Sequence, residues 1–508
     1  MTVKMPGIKA GRKEQERKMK LSKLCEEFAY TCLQGSMELE VTDIVYDSRK
    51  VRKGTVFVCI VGTVTDGHDY IESALEQGAA AFVVEHEIEV RLPEACTVIQ
   101  VASARKALAH MSAVYFDHPA RSLTTIGLTG TKGKTTTTYM IKSVLETAGR
   151  KVGLIGTIGA LIGEERLEAK NTTPESYELH RMFRAMVDAG CQYVVMEVSS
   201  QGLKMDRVAG ITFDYGIYTN LSPDHIGPGE HDNFEEYMEC KSLLFRQCRI
   251  GIVNIDDGHA EDVLRGHTCE VKTFSCGKDA DLMAGAIGFL DEDGQIGMHF
   301  TTTGCMDVYA VVHIPGRFSV YNSLVTMLTC HLEGISDAAI LKGLDRVKVR
   351  GRVELVPVSK DFTVIIDYAH NEVSTRSVLT TLKEYHPKRL ICVYGGGGNR
   401  SKLRRYDMGE VTGELADLNV LTCDNPRDEE IQDINNDIKI GLAKSNGKYM
   451  EIEDRKEAIK YCIEHARKGD MIVLLGKGHE DYQEIKGVKY HFDEREAIAE
   501  IKEELGII

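Results

Sequence analysis

The sequence predicts an α/β protein with mainly parallel sheets, divided into several domains. Short apolar runs alternate along the chain with segments of helical period, as is typical of sheets buried on both faces. Glycine-rich or polar turns directly follow several of these runs. At 508 residues the chain exceeds what one hydrophobic core usually serves, so two to four domains are expected.

Bulk composition narrows the class of protein. The chain is 43% hydrophobic and 27% charged, without an apolar run of the roughly 18 residues that a membrane span requires. A formal net charge of −15 disfavours nucleic acid as a partner. Its 14 cysteines form no zinc-type pairs and lie mostly among apolar neighbours. We therefore expect reduced thiols and a cytoplasmic location.

The first segments predict a tail and a small domain. Residues 1–20 carry seven Lys or Arg against two Glu and no apolar run, which predicts a flexible basic tail with Met19 as an alternative start. In residues 21–120, strand-like runs at 54–61 and 81–84 flank a helix-like segment at 70–77. This pattern predicts a small α/β domain.

A second domain is predicted over residues 121–350. It opens with a strand at Thr124–Thr129, a glycine turn and a helix whose apolar stripe includes Met140, Val144 and Ala148. Further apolar runs at 152–155, 193–196 and 250–255 predict a mainly parallel sheet.

The third predicted domain, residues 351–508, follows a basic, glycine-containing boundary at 346–354. Its four apolar runs each precede a polar or glycine-rich cluster; the runs lie at 363–366, 390–394, 418–422 and 471–475. Ligands of open α/β sheets bind beyond the carboxyl ends of the strands. The four clusters are therefore predicted to share one crevice.

The turn between the first strand and helix of the central domain predicts a phosphate site. Its sequence is Gly127-Leu-Thr-Gly-Thr-Lys-Gly-Lys-Thr-Thr136. In such a loop backbone N–H groups point at phosphate oxygens, Lys134 reaches the outer phosphates and Thr135 ligates Mg²⁺. Leu128 stands where the strict P-loop pattern has glycine. The predicted ATP-binding residues of this loop are Gly130, Thr131, Lys132, Gly133, Lys134, Thr135 and Thr136.

An acidic partner for that metal follows another apolar run. Glu197 ends the segment Tyr193-Val-Val-Met-Glu197 and precedes Val-Ser-Ser200. A carboxylate in this position is a candidate Mg²⁺ ligand, and the alternative is a buried structural glutamate at a helix start.

The order and spacing of these motifs resemble the Mur ligases. After the loop and Glu-Val-Ser-Ser come Thr219-Asn-Leu-Ser-Pro-Asp-His225, Cys240-Lys-Ser-Leu-Leu-Phe245, Gly351-Arg352, Asp367-Tyr-Ala-His370, Asp424-Asn-Pro-Arg427 and Gly476-Lys-Gly-His-Glu480. The resemblance covers nearly the whole chain beyond Lys20. It is strongest to the UDP-N-acetylmuramoyl-tripeptide synthetases of that family.

The resemblance implies a UDP-binding first domain, a central ATPase and a Rossmann-like third domain. The implied reaction starts when the carboxylate of UDP-MurNAc-L-Ala-D-Glu attacks ATP and forms an acyl phosphate, which the incoming amino acid then converts to an amide. Contacts to the nucleotide sugar are implied for Ser48, Arg49, His68, Asn171, Thr172, Thr173, Ser199 and Arg207.

The same resemblance implies roles for residues around the phosphates. Lys134, Lys241, His225 and Arg352 are implied in catalysis, with one Mg²⁺ on Thr135 and Glu197. A second Mg²⁺ is implied near His225, together with a carbamate formed from CO₂ on Lys241. Arg352 and Asp367 are implied at the γ-phosphate and ribose, and Asn322 near the adenine.

The amino acid implied by Asp-Asn-Pro-Arg is meso-diaminopimelate. Its second carboxylate suits the bidentate guanidinium of arginine. The implied pocket contains Arg400, Asp424, Asn425, Arg427, Gly476 and Glu480. The expected partners are these small-molecule substrates, with no nucleic acid and no membrane, and the expected oligomeric state is a monomer.

Four positions depart from the family pattern, and three alternatives stay open. Gln201 replaces a usual histidine, Gly227 an aspartate, Asn399 an aspartate and Arg350 a proline. The alternatives are the same chemistry with L-lysine or another amino acid, a folylpolyglutamate or cyanophycin-type synthetase, and a nucleotide-binding scaffold without turnover.

Overall fold

The structure is a computed structural model that describes residues 18–62, 65–163, 165–167, 171–224, 226, 227, 229–292 and 295–507. Two units divide the chain. The first comprises residues 1–134, 150–253 and 257–272, and the second comprises residues 135–149, 254–256 and 273–508.

The first unit begins with a five-stranded sheet of order β2-β7-β6-β5-β4, in which β4 to β7 are parallel. Apolar clusters cover both faces of this sheet. Ser103 caps the longest helix of this part by accepting the N–H of Lys106. The elements are β1 (Met19–Lys20), α1 (Leu21–Leu24), β2 (Thr31–Gln34), β3 (Glu40–Val41), β4 (Ile44–Val45), β5 (Val56–Val58), α2 (Ile71–Glu76), β6 (Ala81–Val84), β7 (Thr97–Gln100) and α3 (Ala104–Tyr115).

A second sheet of the same unit has the strand order β11-β10-β9-β12-β8-β13-β14. Strands β9, β12, β8, β13 and β14 pair in parallel, and all residues of β9 and β12 are buried. The elements in chain order are β8 (Thr124–Thr129), α4 (Lys134–Thr147), β9 (Val152–Gly156), β10 (Gly159–Ile162), β11 (Glu165–Leu167), α5 (Ser176–Asp188), β12 (Tyr193–Glu197), α6 (Ser200–Lys204), β13 (Phe213–Tyr218), α7 (Phe234–Ser242), β14 (Cys248–Asn254) and α8 (Ala260–Val263).

The second unit contains α4 and an antiparallel segment. Strands β16, β17 and β18 form a meander in which buried and exposed residues largely alternate along β18. Ser143 of α4 donates to the carbonyl of Gly343 on α10. The elements are β15 (Glu270–Ser275), β16 (Leu282–Glu292), β17 (Gln295–Gly304), β18 (Tyr309–Val312), α9 (Arg317–Leu332) and α10 (Asp337–Asp345).

The rest of the second unit is a six-stranded sheet of order β19-β20-β24-β21-β22-β23. Only β19 runs antiparallel to its neighbour. An apolar cluster of strand and helix side chains forms its core. The elements are β19 (Glu354–Val356), β20 (Thr363–Asp367), α11 (Glu372–Lys383), β21 (Arg389–Tyr394), α12 (Lys402–Leu415), β22 (Leu418–Leu421), α13 (Ile431–Ser445), β23 (Tyr449–Glu451), α14 (Arg455–Glu464), β24 (Asp470–Leu475), β25 (Tyr482–Ile485), β26 (Val488–His491) and α15 (Glu494–Leu505).

The predicted fold class is confirmed, with two differences in detail. Met19 and Lys20, assigned to the tail, form β1 because they pair with Val41 and Glu40 and the Lys20 ammonium donates to Glu38. The remainder of the predicted tail, residues 1–17, lies outside the described residues. The antiparallel strands β16 to β18 were not predicted from the sequence.

Candidate active site

The predicted phosphate loop, residues 130–133, connects the buried strand β8 to helix α4. Gly130 has a φ of +143°, and a Cβ there would lie 2.0 Å from Thr219 Oγ1. Gly133 has a φ of +87°. Both glycines are therefore required by the backbone, since other residues rarely adopt such φ values. Thr135 and Thr136 begin α4 and are buried.

The segment after β13 holds this loop in place. The N–H groups of Thr131 and Lys132 donate to the backbone and side-chain oxygens of Asn220, at 2.9 Å each. Thr219 Oγ1 and Asn220 Nδ2 donate to the carbonyl of Lys132. The sequence predicts that the loop N–H groups face phosphate. In this structure the N–H groups of Thr131 and Lys132 are hydrogen-bonded to Asn220.

Two lysines meet at one carbonyl of the loop. Lys134 Nζ donates to Gly130 O at 2.8 Å, and Lys241 Nζ donates to the same oxygen at 3.0 Å. Lys241, on α7, is only 1% exposed. Burial, and next the charge of Lys134, lower the pKa of Lys241 well below its usual value. Only the unprotonated form of a lysine amine reacts with CO₂, and a lowered pKa favours that form.

Glu197 lies at the carboxyl end of β12, beside β8. Its register partner on β8 is Leu128, and its side chain is buried. The two carboxylate oxygens accept the N–H and hydroxyl of Thr157, at 2.9 and 3.1 Å. These bonds fix the orientation of the carboxylate. Its oxygens are the type of ligand that Mg²⁺ prefers.

Four residues predicted to bind the nucleotide sugar lie beside Glu197. Thr173 Oγ1 donates to Glu197 O at 3.0 Å and contacts Ser199 Oγ at 3.2 Å. Arg207 Nη1 donates to Thr173 O, and Thr172 Oγ1 lies 3.1 Å from Thr157 Oγ1. Asn171 is exposed in the same turn.

Ser48 and Arg49 belong to a short 3₁₀ turn in the first sheet region, capped by Asp47. The exposed Arg49 guanidinium is paired with Asp47. Two neighbouring hydrogen bonds bring this region to helix α5: Tyr46 OH donates to Glu178, and Tyr177 OH donates to Asp43, each at 2.7 Å. The two groups of predicted nucleotide-sugar residues therefore come from adjacent elements.

His68 is part of a cluster with Asp66 and His86 whose ligand atoms lie close enough for one metal ion. Its Nε2 accepts the N–H of Glu85, so its proton sits on Nδ1, which lies 2.5 Å from Asp66 Oδ1. His86 Nε2 lies 3.1 Å from Asp66 Oδ2. Burial acts to raise the pKa of Asp66, but these hydrogen bonds outweigh it and lower the pKa to about 2. The hydrogen bonds account for the cluster without a metal.

Arg352 and Asp367, predicted at the nucleotide, lie together in the second unit. Asp367 ends β20, and its two oxygens accept the N–H groups of Val353 and Ala369, each at 2.7 Å. The Arg352 guanidinium lies over the Tyr368 ring, 4.9 Å from its centroid. Burial raises the pKa of Asp367, although Arg352 opposes the shift. Asn322 is buried on α9, and its Nδ2 has no hydrogen-bond partner among the described residues.

The predicted amino-acid pocket is assembled from three turns at the carboxyl ends of β21, β22 and β24. Asn425 Nδ2 donates to Glu480 Oε2 at 2.8 Å, and Arg427 Nη1 donates to Gly398 O at 2.7 Å. Asp424 is buried, and a Cβ on Gly476 would lie 2.5 Å from its Oδ2. Arg400 is exposed, with its Cγ 3.5 Å from where a Cβ on Gly397 would lie.

Sequence reasoning missed the charged side chains that hold these turns. Lys477 is fully buried and donates to Asn425 Oδ1 and Glu480 Oε2, at 3.2 Å each. Arg455 and Glu494 form a fully buried ion pair, and Arg455 also donates to the carbonyls of Cys423 and Leu475. The position of Lys477 between two glycines, in Gly-Lys-Gly-His-Glu, is the sequence feature that could have indicated its role. The pair of Arg455 and Glu494 has no such local signal.

The predicted metal residue His225 lies outside the described residues. Near it in the chain, His231 is buried on the segment before α7 and lies 2.9 Å from Ser200 Oγ through its Nε2. Lys204 of α6 pairs with Glu236 of α7 at 2.8 Å. These contacts tie the helix that follows Glu197 to the helix that carries Lys241. Sequence reasoning also missed His231.

Family models match three parts of the chain. A Mur ligase family catalytic domain matches residues 40–116, a Mur ligase middle domain matches residues 128–330, and a Mur ligase glutamate ligase domain matches residues 351–478. Together with the sheets and the loop they define an ATP-dependent ligase. The chain belongs to the Mur ligase family.

Similar proteins match this chain over nearly its full length. A UDP-N-acetylmuramoyl-L-alanyl-D-glutamate–2,6-diaminopimelate ligase of Clostridium tetani is 43% identical over 96% of this chain and 100% of its own. A protein of the same name, number 1, from Clostridium acetobutylicum is 42% identical over 96% and 100%. A solved structure of that name has a TM-score of 0.70 and 25% identity over 96% of this chain and 100% of its own.

No helix of the described segments is both long enough and apolar enough to cross a bilayer.

Proposed function

We propose that the protein adds meso-diaminopimelate to UDP-MurNAc-L-Ala-D-Glu with ATP, in the synthesis of peptidoglycan precursors. The observation that carries this proposal is the contact between the Asp424–Arg427 turn and the Glu480 turn. In the proposed pocket, the guanidinium of Arg427 would pair with the distal carboxylate of diaminopimelate, and the carboxylate of Glu480 with its distal ammonium. The names of the full-length relatives support the same substrate.

Chemistry begins at the phosphate loop. The substrate carboxylate oxygen attacks the γ-phosphorus, the bond to the β,γ-bridging oxygen breaks, and ADP leaves. Two anions approach each other in this step, so cations must offset their repulsion. We assign this role to Lys134, the first residue of α4, and Lys132 and Gly133 complete the turn before it. We assign Thr135 and Glu197 as the oxygen ligands that would hold a Mg²⁺, which would neutralise phosphate charge.

Lys241 supports a second cation site in this proposal. Burial lowers the pKa of its amine, and the neutral form of the amine can add CO₂ and lose a proton, which leaves a bidentate anion at this position. His225 and this carbamate would hold the second Mg²⁺. In the next step the amine of the amino acid attacks the acyl carbon, and the amide forms as phosphate leaves.

Substrate positions follow from the remaining contacts. We assign binding of the nucleotide sugar to eight residues: Ser48, Arg49, His68, Asn171, Thr172, Thr173, Ser199 and Arg207. Arg352 and Asp367 are assigned to the phosphate and ribose of ATP, and the buried donor of Asn322 to the adenine. Arg427 and Arg400 face the distal carboxylate, while Glu480 and Asn425 take the distal ammonium.

The proposed location is the cytoplasm, and the proposed oligomeric state is a monomer. All 14 cysteines are free thiols, which supports a reducing compartment.

An Arg427→Ala variant tests the amino-acid assignment. Loss of one charge-assisted, bidentate contact corresponds to about tenfold or more in affinity. We expect KM for diaminopimelate to rise by at least that factor while KM for ATP stays constant, measured as phosphate release with UDP-MurNAc-L-Ala-D-Glu as acceptor. Arg376→Ala, an exposed arginine paired with Glu414, is the control.

The same assay separates the alternatives. Phosphate release by the parent protein with lysine but not diaminopimelate would refute the assigned amino acid. Release with a folate acceptor and none with the muramoyl dipeptide would refute the assigned acceptor.

A further inference from the structure

We propose that Glu484 is a positioning residue that orients Arg427 and thereby determines selectivity for an amino acid with a second carboxylate. The inference rests on the proposed function and deepens it. Glu484 lies in the hairpin formed by β25 and β26, which follows the Glu480 turn and carries none of the predicted site residues. Three contacts of this one residue reach the pocket.

The first two contacts come from its backbone. Glu484 N donates to Asn425 Oδ1 at 2.9 Å, and Glu484 O accepts the N–H of Arg427 at 3.0 Å. Lys486 N then donates to Arg427 O at 2.7 Å. The hairpin edge therefore pairs with the turn that presents Asn425 and Arg427 as a short strand would.

This pairing offsets a backbone strain at Arg427. Its φ is +51°, in the left-handed region, which is unfavourable for a residue with a Cβ. Such conformations persist where the surroundings impose them, and they cluster at ligand sites. Here the left-handed turn directs the arginine side chain back toward Gly398, whose carbonyl it contacts.

The third contact is made by the side chain. Glu484 Oε2 accepts from Arg427 Nε at 3.2 Å, while Gly398 O accepts from Nη1 at 2.7 Å. Both side chains are partly buried, at 22% exposure for Arg427 and 28% for Glu484. A guanidinium has five N–H donors in one plane. Hydrogen bonds at Nε and at one Nη1 hydrogen fix the plane of the Arg427 guanidinium. The Nη2 group and the second Nη1 hydrogen then remain available to bind a carboxylate.

A competing role for Glu484 predicts the opposite sign. If the carboxylate only competed with substrate for Arg427, its removal would strengthen diaminopimelate binding. If it orients the fork, its removal frees the side chain, which must then be ordered on binding, and diaminopimelate binding weakens. Lysine has no second carboxylate, so its KM is unaffected in the second case.

The experiment is steady-state phosphate release by the full-length protein with UDP-MurNAc-L-Ala-D-Glu, comparing Glu484→Ala with the parent. We expect KM for diaminopimelate to rise about tenfold, the loss of one hydrogen bond between charged groups. We expect kcat within twofold, an unchanged KM for ATP, and an unchanged KM for any residual turnover of lysine. Glu484→Gln, which keeps an acceptor, should recover most of the affinity.

Glu430→Ala is the matched control, because Glu430 approaches Lys486 of the same hairpin at 3.6 Å. Its KM values should equal those of the parent. Should Glu484→Ala fail to fold, Glu484→Met removes the same acceptor and keeps the length of the side chain, and its KM decides.

Two results would overturn the inference. One is a folded Glu484→Ala or Glu484→Met protein whose KM for diaminopimelate is unchanged or lower. The other is an equal rise of KM for ATP and diaminopimelate, which is the mark of a general structural defect. A parent protein that does not use diaminopimelate refutes the proposed function instead, before any variant is compared.

Discussion

At the scale of single residues, the carbonyl of Gly130 organises the charges of the phosphate loop. It accepts hydrogen bonds from Lys134, which is half-buried, and from Lys241, which is buried. Burial, and next the charge of Lys134, lower the pKa of Lys241, which favours the proposed addition of CO₂ to its amine.

Replacement of Lys134 by alanine should abolish most of the ligase activity. Removing one positioned cation that stabilises developing charge typically lowers kcat by about 10²–10³-fold. Phosphate release and amide formation should fall together, since both follow the same phosphoryl transfer. Lys468→Ala is the control: Lys468 is 83% exposed, lies 3.8 Å from Asp361 and belongs to none of the assigned sites. A Lys134→Ala protein with parental turnover would contradict the assigned role.

The sequence could predict those site residues whose proposed role depends on a local pattern. The proposed role of Lys134 was inferred from the spacing of glycines and lysine, and that of Arg427 from its place in a turn after a strand. Glu484 and the pair of Arg455 and Glu494 could not be predicted, because their contacts depend on which strands become neighbours. Asn220 lies within the motif that begins at Thr219, but its hydrogen bonds to the phosphate loop depend on the pairing of β13 with β8.

At the scale of elements, helices α12 and α13 pack through glycines. A Cβ on Gly441 would lie 1.9 Å from Tyr406 O, and one on Gly409 would lie 2.2 Å from Ile438 O. Each helix thus lets the backbone of the other approach closely.

Gly441→Ala should therefore destabilise the protein even though alanine favours helices. The intrinsic gain is about 1 kcal/mol, whereas a Cβ forced against backbone costs on the order of 1–3 kcal/mol or more because both helices must shift. We expect a lower Tm in thermal denaturation. Gly258→Ala, where a Cβ meets nothing within 4 Å, should leave Tm unchanged. A Gly441→Ala protein as stable as the parent would show that α13 is free to move away.

Among the elements, buried parallel strands were predictable and the antiparallel meander was not. The runs at 363–366, 390–394, 418–422 and 471–475 became β20, β21, β22 and β24, which are adjacent and parallel. Strand β17 combines glycine, histidine and three threonines in its ten residues, so it lacks the continuous apolar run that identified the others.

At the scale of the complete chain, the alternation of strand and helix predicted the fold class. How the chain divides into compact units depends on contacts between residues that are distant in sequence, and these contacts could not be predicted. Tyr46 with Glu178 and Tyr177 with Asp43 join segments more than 100 residues apart. Such long-range pairs do not appear in the periodicity of the sequence. The same is true of the burial of His180, because its position in a helical pattern does not show that the side chain is buried.

His180 makes stability depend on pH. It is 2% exposed on α5, and neither ring nitrogen has a hydrogen-bond partner among the described residues. Burial first, then the nearby His118 and His110, lower its pKa to about 3. The unfolded chain takes up this proton near pH 6.5 and the folded chain only near pH 3, so stability falls as pH drops through that window, by roughly 1 kcal/mol per pH unit.

His180→Leu should remove that dependence, because leucine fills the same apolar position and binds no proton. We expect the Tm of the parent to fall more steeply than that of the variant between pH 6.5 and pH 4.5, and the two curves to run parallel above pH 7. Glu27, which lies 3.5 Å from His118 and 3.8 Å from His110, is present in both proteins, so the difference between their curves reports on His180. His267→Gln, at an exposed histidine, should follow the parent curve. Parallel curves for parent and His180→Leu across the whole range would mean that His180 is protonated in the folded protein, which requires a hydrogen-bond acceptor or water at its ring.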